Sequence, residues 1–114
     1  MKYTIDAQGK KIGRIASAAA ARLMGKHSTA FAKNRVIADQ VEIVNASKTD
    51  MTAVKKQNDT YVTFTGWRGG INRESLGELI ARRGMKEVYT RAIERMIPRN
   101  KLHKARMKNL IIKD

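Results

Sequence analysis

The sequence contains no cysteine among its 114 residues. Disulfide bonds and thiolate metal sites are therefore excluded, which is consistent with a reducing compartment. No apolar run approaches the roughly 20 residues that a membrane-spanning helix requires. The first residues also lack the long apolar segment of a secretory signal peptide. We therefore expect a soluble, cytoplasmic protein with no membrane partner.

Acidic residues are scarce. Ten Asp and Glu stand against 24 Lys and Arg, which gives a net charge of +14. Such an excess destabilises a compact chain unless a polyanion balances it, and each neutralised phosphate of a nucleic acid releases a counterion. Residues 1–65 hold 11 basic and 5 acidic side chains, and residues 66–114 hold 13 and 5. The charge therefore belongs to the folded body, and the length and the hydrophobic content of 42% predict one domain, 1–114.

Aromatic residues and histidines are few. The six aromatic side chains disfavour a platform on which single strands stack. The two histidines, His27 and His103, have no cysteine or local cluster of carboxylates beside them, so we expect no metal and no cofactor. No helix-turn-helix, zinc-finger or RNP pattern is visible. These absences favour recognition of the shape and backbone of a folded nucleic acid.

Apolar periodicity predicts helices and strands in alternation. The helix at 11–24 has apolar residues at i, i+3, i+4 and i+7 and ends before Gly25, a typical helix-terminating residue. The predicted strands are 3–6, 41–45, 60–65 and 110–112, and the further helices are 75–83, 86–97 and 99–109. This order predicts an α/β layer fold with a largely parallel sheet.

Two glycine-containing segments invite comparison with nucleotide-binding motifs. Gly25-Lys26-His27-Ser28 follows a predicted helix rather than a strand, and Ala20 and His27 stand where a phosphate loop has glycine and a hydroxyl. Gly9-Lys10-Lys11-Ile12-Gly13 follows a strand and opens a helix, but it lacks the G-x-G-x-x-G spacing. A structural turn and a contact with an RNA phosphate both remain open there. The few aspartates near strand ends are typical of turns, so we expect no enzyme and no small-molecule substrate.

Basic side chains are the candidate binding residues, because Lys and Arg bind phosphates and so position a protein on nucleic acid. Residues 99–108 alone contain five of them. The predicted basic set comprises Lys11, Arg14, Lys26, Lys33, Arg35, Lys55, Lys56, Arg68, Arg73, Arg82, Arg83, Arg99, Lys101, Lys104, Arg106 and Lys108. Lys104 and Arg106 are expected to be polar surface positions whose replacement leaves the fold intact.

Five segments in this order resemble one family. They are DAQGKKIGRIAS (6–17), GKH (25–27), DQVEIVNA (39–46), TGWRGG (65–70) and RMIPRNKL (95–102). The chain resembles the universal large-subunit ribosomal protein thirteen family (L-thirteen), in its bacterial type, over residues 3–112. Arg68 stands where the family usually has proline, and Arg95 where it usually has glycine. The chain ends at Asp114, before the family's usual short tail, so it resembles a shortened member.

The resemblance implies a fold, a function and partners. The implied fold is a three-layer α/β/α domain with a four-stranded, mainly parallel sheet. The implied function is that of a ribosomal constituent that binds large-subunit ribosomal RNA, contacts neighbouring ribosomal proteins, supports subunit assembly and has no enzymatic activity. Two alternatives from other classes stay open: a nucleotide-dependent enzyme, suggested by the turn at 9–13, and a free-standing DNA-binding protein.

Overall fold

A computed structural model describes residues 2–37 and 39–114, so Met1 and Ala38 lie outside the description. The described residues contain five β-strands, five α-helices and one 3-10 turn at Ala46–Lys48. The strands are β1 Lys2–Asp6, β2 Gln40–Val44, β3 Thr60–Phe64, β4 Ile71–Ser75 and β5 Leu110–Ile112. The helices are α1 Ile12–Met24, α2 Ala53–Asn58, α3 Leu76–Arg83, α4 Met85–Met96 and α5 His103–Met107. In this part of the chain, no helix has the length and apolarity needed to span a membrane.

The strands form two separate sheets. β1, β2 and β5 form a parallel sheet with β2 in the centre, where Ile43 lies opposite both Ile5 and Ile112. β3 and β4 form an antiparallel hairpin in which Phe64 lies opposite Ile71. The α/β class is therefore confirmed. The prediction of a four-stranded, mainly parallel sheet is wrong, because β3 pairs with the adjacent strand β4 across a short loop instead of joining the parallel strands.

The loop between β3 and β4 explains this local pairing. The amide of Thr65 donates to the carbonyl of Gly70 at 3.0 Å and closes the hairpin. Gly66 and Gly69 have φ of 88° and 74°, a region that glycine enters without steric cost. Closing so short a loop costs less conformational entropy than a crossover to a distant strand.

Helices α1 and α4 pack against the parallel sheet. Along β1, Tyr3 and Ile5 are partly buried, whereas Lys2, Thr4 and Asp6 are exposed. The main apolar cluster joins the inward face of the sheet to α1 and α4; among its members are Ile15, Ala19, Leu23, Val41, Ile43, Tyr89 and Ile93. The edge strand β1 thus alternates in burial, whereas the central strand β2 buries Val41, Glu42 and Ile43 in succession.

Local sequence determines where the helices begin and end. Gly25 ends α1 with φ of 80°, and its amide donates to the carbonyl of Arg22 at 3.0 Å. Ser75 and Glu78 form a capping box at the start of α3. α5 covers only residues 103–107, so the predicted helix over 99–109 is too long. Asn100 begins a turn there, because its side chain accepts a hydrogen bond from the amide of Leu102 at 3.0 Å.

Candidate nucleic-acid interface

Half of the ten acidic side chains are paired with Lys or Arg inside the protein. Glu42, Asp50, Asp59, Glu74 and Glu87 form ion pairs with Lys or Arg. These pairs engage six of the 24 Lys and Arg, namely Lys2, Lys11, Lys55, Arg82, Arg91 and Lys113, and the other 18 have no carboxylate partner among residues 2–37 and 39–114. The excess positive charge is therefore not balanced within the described part of the chain.

Glu42 shows how a carboxylate fixes two lysines. It lies in the central strand and is 5% exposed. The Nζ atoms of Lys113 and Lys2 lie 2.5 and 2.8 Å from its two carboxylate oxygens. Hydrogen bonds, first from Lys113 and then from Lys2, hold the pKa of Glu42 below its ordinary value despite its burial. These two lysines are therefore engaged in the fold, and neither belongs to the predicted basic set.

A first group of basic residues surrounds the start of α1: Lys10, Lys11, Arg14 and Lys48. Backbone hydrogen bonds hold its two loops together, from Gly9 N to Lys48 O and from Asp50 N to Lys10 O, each at 3.1 Å. Lys11 also pairs with Asp50 at 2.6 Å. α1 has no capping side chain and no acidic residue in its first turn. Asp50 lines the same pocket as Ile12 and Gly13, so an acidic side chain from the neighbouring loop already lies beside this helix end.

A second group lies on the β3–β4 hairpin, where Arg68 and Arg73 are exposed. The register places Phe64 and Ile71 opposite each other, and they are 65% and 59% exposed. Trp67 in the connecting loop is 80% exposed. Sequence reasoning missed this apolar surface, because the small number of aromatic residues argued against stacking. The glycines at 66, 69 and 70 predict a loop around Trp67, and an aromatic residue inside a glycine-rich loop was the signal that could have identified the exposed surface.

Beside the hairpin, Arg82 is engaged by a carboxylate. Its Nε and Nη2 atoms each donate to one oxygen of Glu74, both at 2.7 Å. The hydrogen bond from Arg82 lowers the pKa of Glu74, and the same bond raises the pKa of Arg82. Arg83 is exposed and makes no ion pair in the described residues. Arg82 is therefore engaged by Glu74, whereas the guanidinium of Arg83 is available to bind a phosphate.

A third group comprises residues 99–108, together with Lys26 and Lys33 of the loop that follows α1. Arg99, Lys101, Lys104 and Lys108 are exposed, as predicted. Arg106 is 2% exposed, so its prediction as a polar surface position is wrong. Its Nη2 atom lies 3.4 Å from the carbonyl oxygen of Lys33 and 3.5 Å from that of Arg35. The loop around residues 33–35 therefore covers this side of the short helix α5.

The predicted basic set does not converge on one site. Lys26, Lys33 and Arg106 line one pocket, Lys11 and Lys55 line another beside Asp50, and Arg73 and Arg82 line a third beside Glu74. Arg14, Arg35, Lys56, Arg68, Arg83, Arg99, Lys101, Lys104 and Lys108 lie on the exposed surface outside these three pockets. Such a distribution suits a large ligand with many negative charges better than a small molecule.

The histidines have structural partners. His27 Nε2 lies 3.0 Å from Asp39 Oδ2, and the His27 ring meets the ring of Tyr3 edge-on at 4.9 Å. His103 Nε2 donates to the carbonyl oxygen of Glu94 at 3.0 Å. Within the described residues, no three His, Cys, Asp or Glu side chains are grouped so that they could hold a metal ion.

A folded α/β domain with this surface fits the class of structural ribosomal proteins, and comparison with known proteins agrees. Three relatives named large ribosomal subunit protein uL13, from Rhodospirillum centenum, Chelativorans sp. and Paracoccus denitrificans, are 40%, 42% and 42% identical to this chain over 106 residues. Each alignment covers 93% of this chain and 69% of the relative.

The profile of the family described as ribosomal protein L13 matches residues 1–112. The chain belongs to this family and is a large-subunit ribosomal protein that takes part in translation. The resemblance drawn from the five sequence segments is thus confirmed, as is the prediction of a structural protein rather than an enzyme. The nucleotide-dependent enzyme and the free-standing DNA-binding protein are no longer competing interpretations.

Proposed function

We propose that this protein binds and stabilises large-subunit ribosomal RNA through exposed Lys and Arg and thereby supports subunit assembly. The observation that carries the proposal is the unbalanced charge: 18 Lys and Arg have no carboxylate partner in the described residues. Of these, the residues in the three basic groups are the ones assigned to RNA contact. Phosphates of closely packed RNA supply the missing negative charge. The protein acts in the cytoplasm, within the ribosome, beside neighbouring large-subunit proteins.

The distribution of the cations suggests how binding works. The basic groups at the start of α1, on the hairpin and in residues 99–108 occupy different parts of one folded domain. A rigid domain that contacts phosphates at three places holds the RNA segments that carry them at fixed distances. Recognition then depends on RNA shape, because phosphate contacts position a protein without reading the bases. This mechanism stabilises a tertiary arrangement of RNA rather than a particular sequence.

A binding comparison tests the proposal. Affinities for transcripts of large-subunit ribosomal RNA, for small-subunit ribosomal RNA of equal length and for duplex DNA are measured at the same salt concentration, because electrostatic affinity depends steeply on salt. We expect the large-subunit transcript to bind most tightly. Equal affinity for all three polyanions would contradict the proposal, since charge alone would then explain binding. In cells, depletion of the protein is expected to leave incomplete large subunits.

A further inference from the structure

The buried guanidinium of Arg106 has no compensating anion. No carboxylate lies within ion-pair distance of Arg106 in the described residues, and its Nε atom is buried without any hydrogen-bond partner. Its two contacts with the backbone carbonyls of Lys33 and Arg35 are long, at 3.4 and 3.5 Å. Arginine has five N–H donors and stays charged in proteins. A buried cation in this condition is costly unless something neutralises it.

Arg106 also forms part of the wall of a pocket of about 330 Å³. That volume is at the lower end of the range of small-molecule sites, roughly 300–1,000 Å³. Its lining combines apolar groups from Met24, Phe31 and Pro98, cations from Lys26, Lys33 and Arg106, and the neutral amide of Asn100. The cations come from two chain segments far apart in sequence, so the fold itself assembles the pocket.

The lining selects one kind of ligand. Three cations without a nearby carboxylate in the described lining favour a phosphate group. An inorganic ion alone would leave the apolar walls unused, whereas a planar base can pack against Phe31, which is 37% exposed. The volume suits one nucleotide and not a length of double helix, whose bases are stacked inside it.

We infer that this pocket holds a single nucleotide, with the base against Phe31 and the apolar wall and the phosphate beside Lys26, Lys33 and Arg106. The inference rests on the proposed function, because the nucleotide is one that ribosomal RNA extends from its stack into the pocket. A free nucleoside monophosphate has the same chemistry and is the second possible source. Occupation supplies the anion that the buried Arg106 lacks.

The Arg106→Met variant separates binding from folding. Methionine is similar in length and apolar, and replacing a buried ionic group by an apolar one of similar volume is often neutral or stabilising. We expect Arg106→Met to melt at the wild-type temperature or above it and to bind large-subunit ribosomal RNA about tenfold more weakly. Lys86→Met is the matched control, because Lys86 is an exposed helical lysine that lies outside the pocket and belongs to none of the three basic groups assigned to RNA contact. It loses the same charge and is expected to change affinity less than twofold.

A second variant keeps the inference testable should Arg106→Met fold poorly. Phe31→Ala leaves every cation in place and is expected to weaken RNA binding about fivefold through loss of base packing. Equal affinities of Arg106→Met and Lys86→Met would overturn the inference. So would a lower melting temperature of Arg106→Met combined with wild-type affinity of Phe31→Ala, since Arg106 would then be structural. Failure of the proposed function would give a different result, because the wild-type protein would then show no preference for large-subunit RNA.

Nuclear magnetic resonance distinguishes the two sources of the nucleotide. Adenosine monophosphate and inorganic phosphate are each titrated into the wild type and Arg106→Met at constant ionic strength. Saturable shifts of the amide signals of residues 26–35 by the nucleotide, in the wild type only, show that a free nucleotide suffices. Shifts produced only by RNA show that the nucleotide must belong to the RNA chain. Equal shifts with inorganic phosphate alone would overturn the role of the base.

Discussion

The salt dependence of RNA binding follows from which lysines are exposed and without a partner. Lys104 and Lys108 lie at the beginning and the end of α5, both are exposed, and neither forms an ion pair in the described residues. Each is therefore free to neutralise one phosphate. The logarithm of the binding constant falls with the logarithm of the salt concentration by about 0.7 to 0.9 per neutralised phosphate. Replacing both lysines by glutamine should make this slope less steep by about 1.5.

The assay is a titration of labelled large-subunit RNA at several salt concentrations for the wild type, each single variant and the double variant. Over a fourfold increase in salt, a slope difference of about 1.5 brings the wild-type and double-variant affinities closer by about eightfold. Unfolding free energy should change by less than about 1 kcal/mol, because exposed positions rarely contribute more. The control is Lys86→Gln, another exposed helical lysine, which should leave the slope unchanged. An unchanged slope in the double variant would refute the assignment of these lysines to phosphates.

Three further predictions concern the fold and the hairpin. Glu42→Gln should lower the melting temperature at neutral pH, and the difference from wild type should shrink as pH falls below about 4.5. The reason is that the pKa of Glu42 is lower in the folded state than in the unfolded state. The stabilisation therefore exists above the unfolded-state pKa and disappears as pH falls through the folded-state pKa. A constant difference down to pH 2 would contradict this. Ile93→Ala should lower the unfolding free energy by about 2–5 kcal/mol in denaturant titrations, because Ile93 is fully buried; a loss below about 1 kcal/mol would contradict the described core. Trp67, the one tryptophan, should emit like a water-exposed indole in the free protein and change its emission when RNA binds, whereas Trp67→Ala should melt like the wild type.

The sequence predicted the elements that have strong local patterns. α1 was predictable because its apolar residues recur at helical spacing and Gly25 provides its end. β2 was predictable from its β-branched residues. β4 was not, because Ile-Asn-Arg-Glu-Ser has no regular alternation of its own. It forms a strand because the glycine loop brings its backbone alongside β3. Strand formation here therefore depends on the pairing and not on the sequence of β4 alone.

Arg106 shows the corresponding limit for the binding surface. Within the run of charges at 99–108 it resembled its neighbours, and the composition gave no reason to separate it from Lys104. Its burial depends on the loop at residues 33–35, which lies 71 to 73 positions away in sequence. Exposure of the other basic residues in this run could be predicted, since an unpaired cation normally stays in water. Which of these cations faces inward depends on tertiary packing, so it could be identified only from the structure.

Sedimentation of cell extract tests the central claim most directly. The protein is tagged at a position that leaves growth normal, and the gradient fractions are probed for it together with large-subunit and small-subunit RNA. We expect the protein to sediment with large subunits and whole ribosomes, to be absent from free small subunits, and to remain bound after a wash at moderate salt. Recovery only at the top of the gradient, in extracts with intact ribosomes, would contradict its role as a constituent of the large subunit.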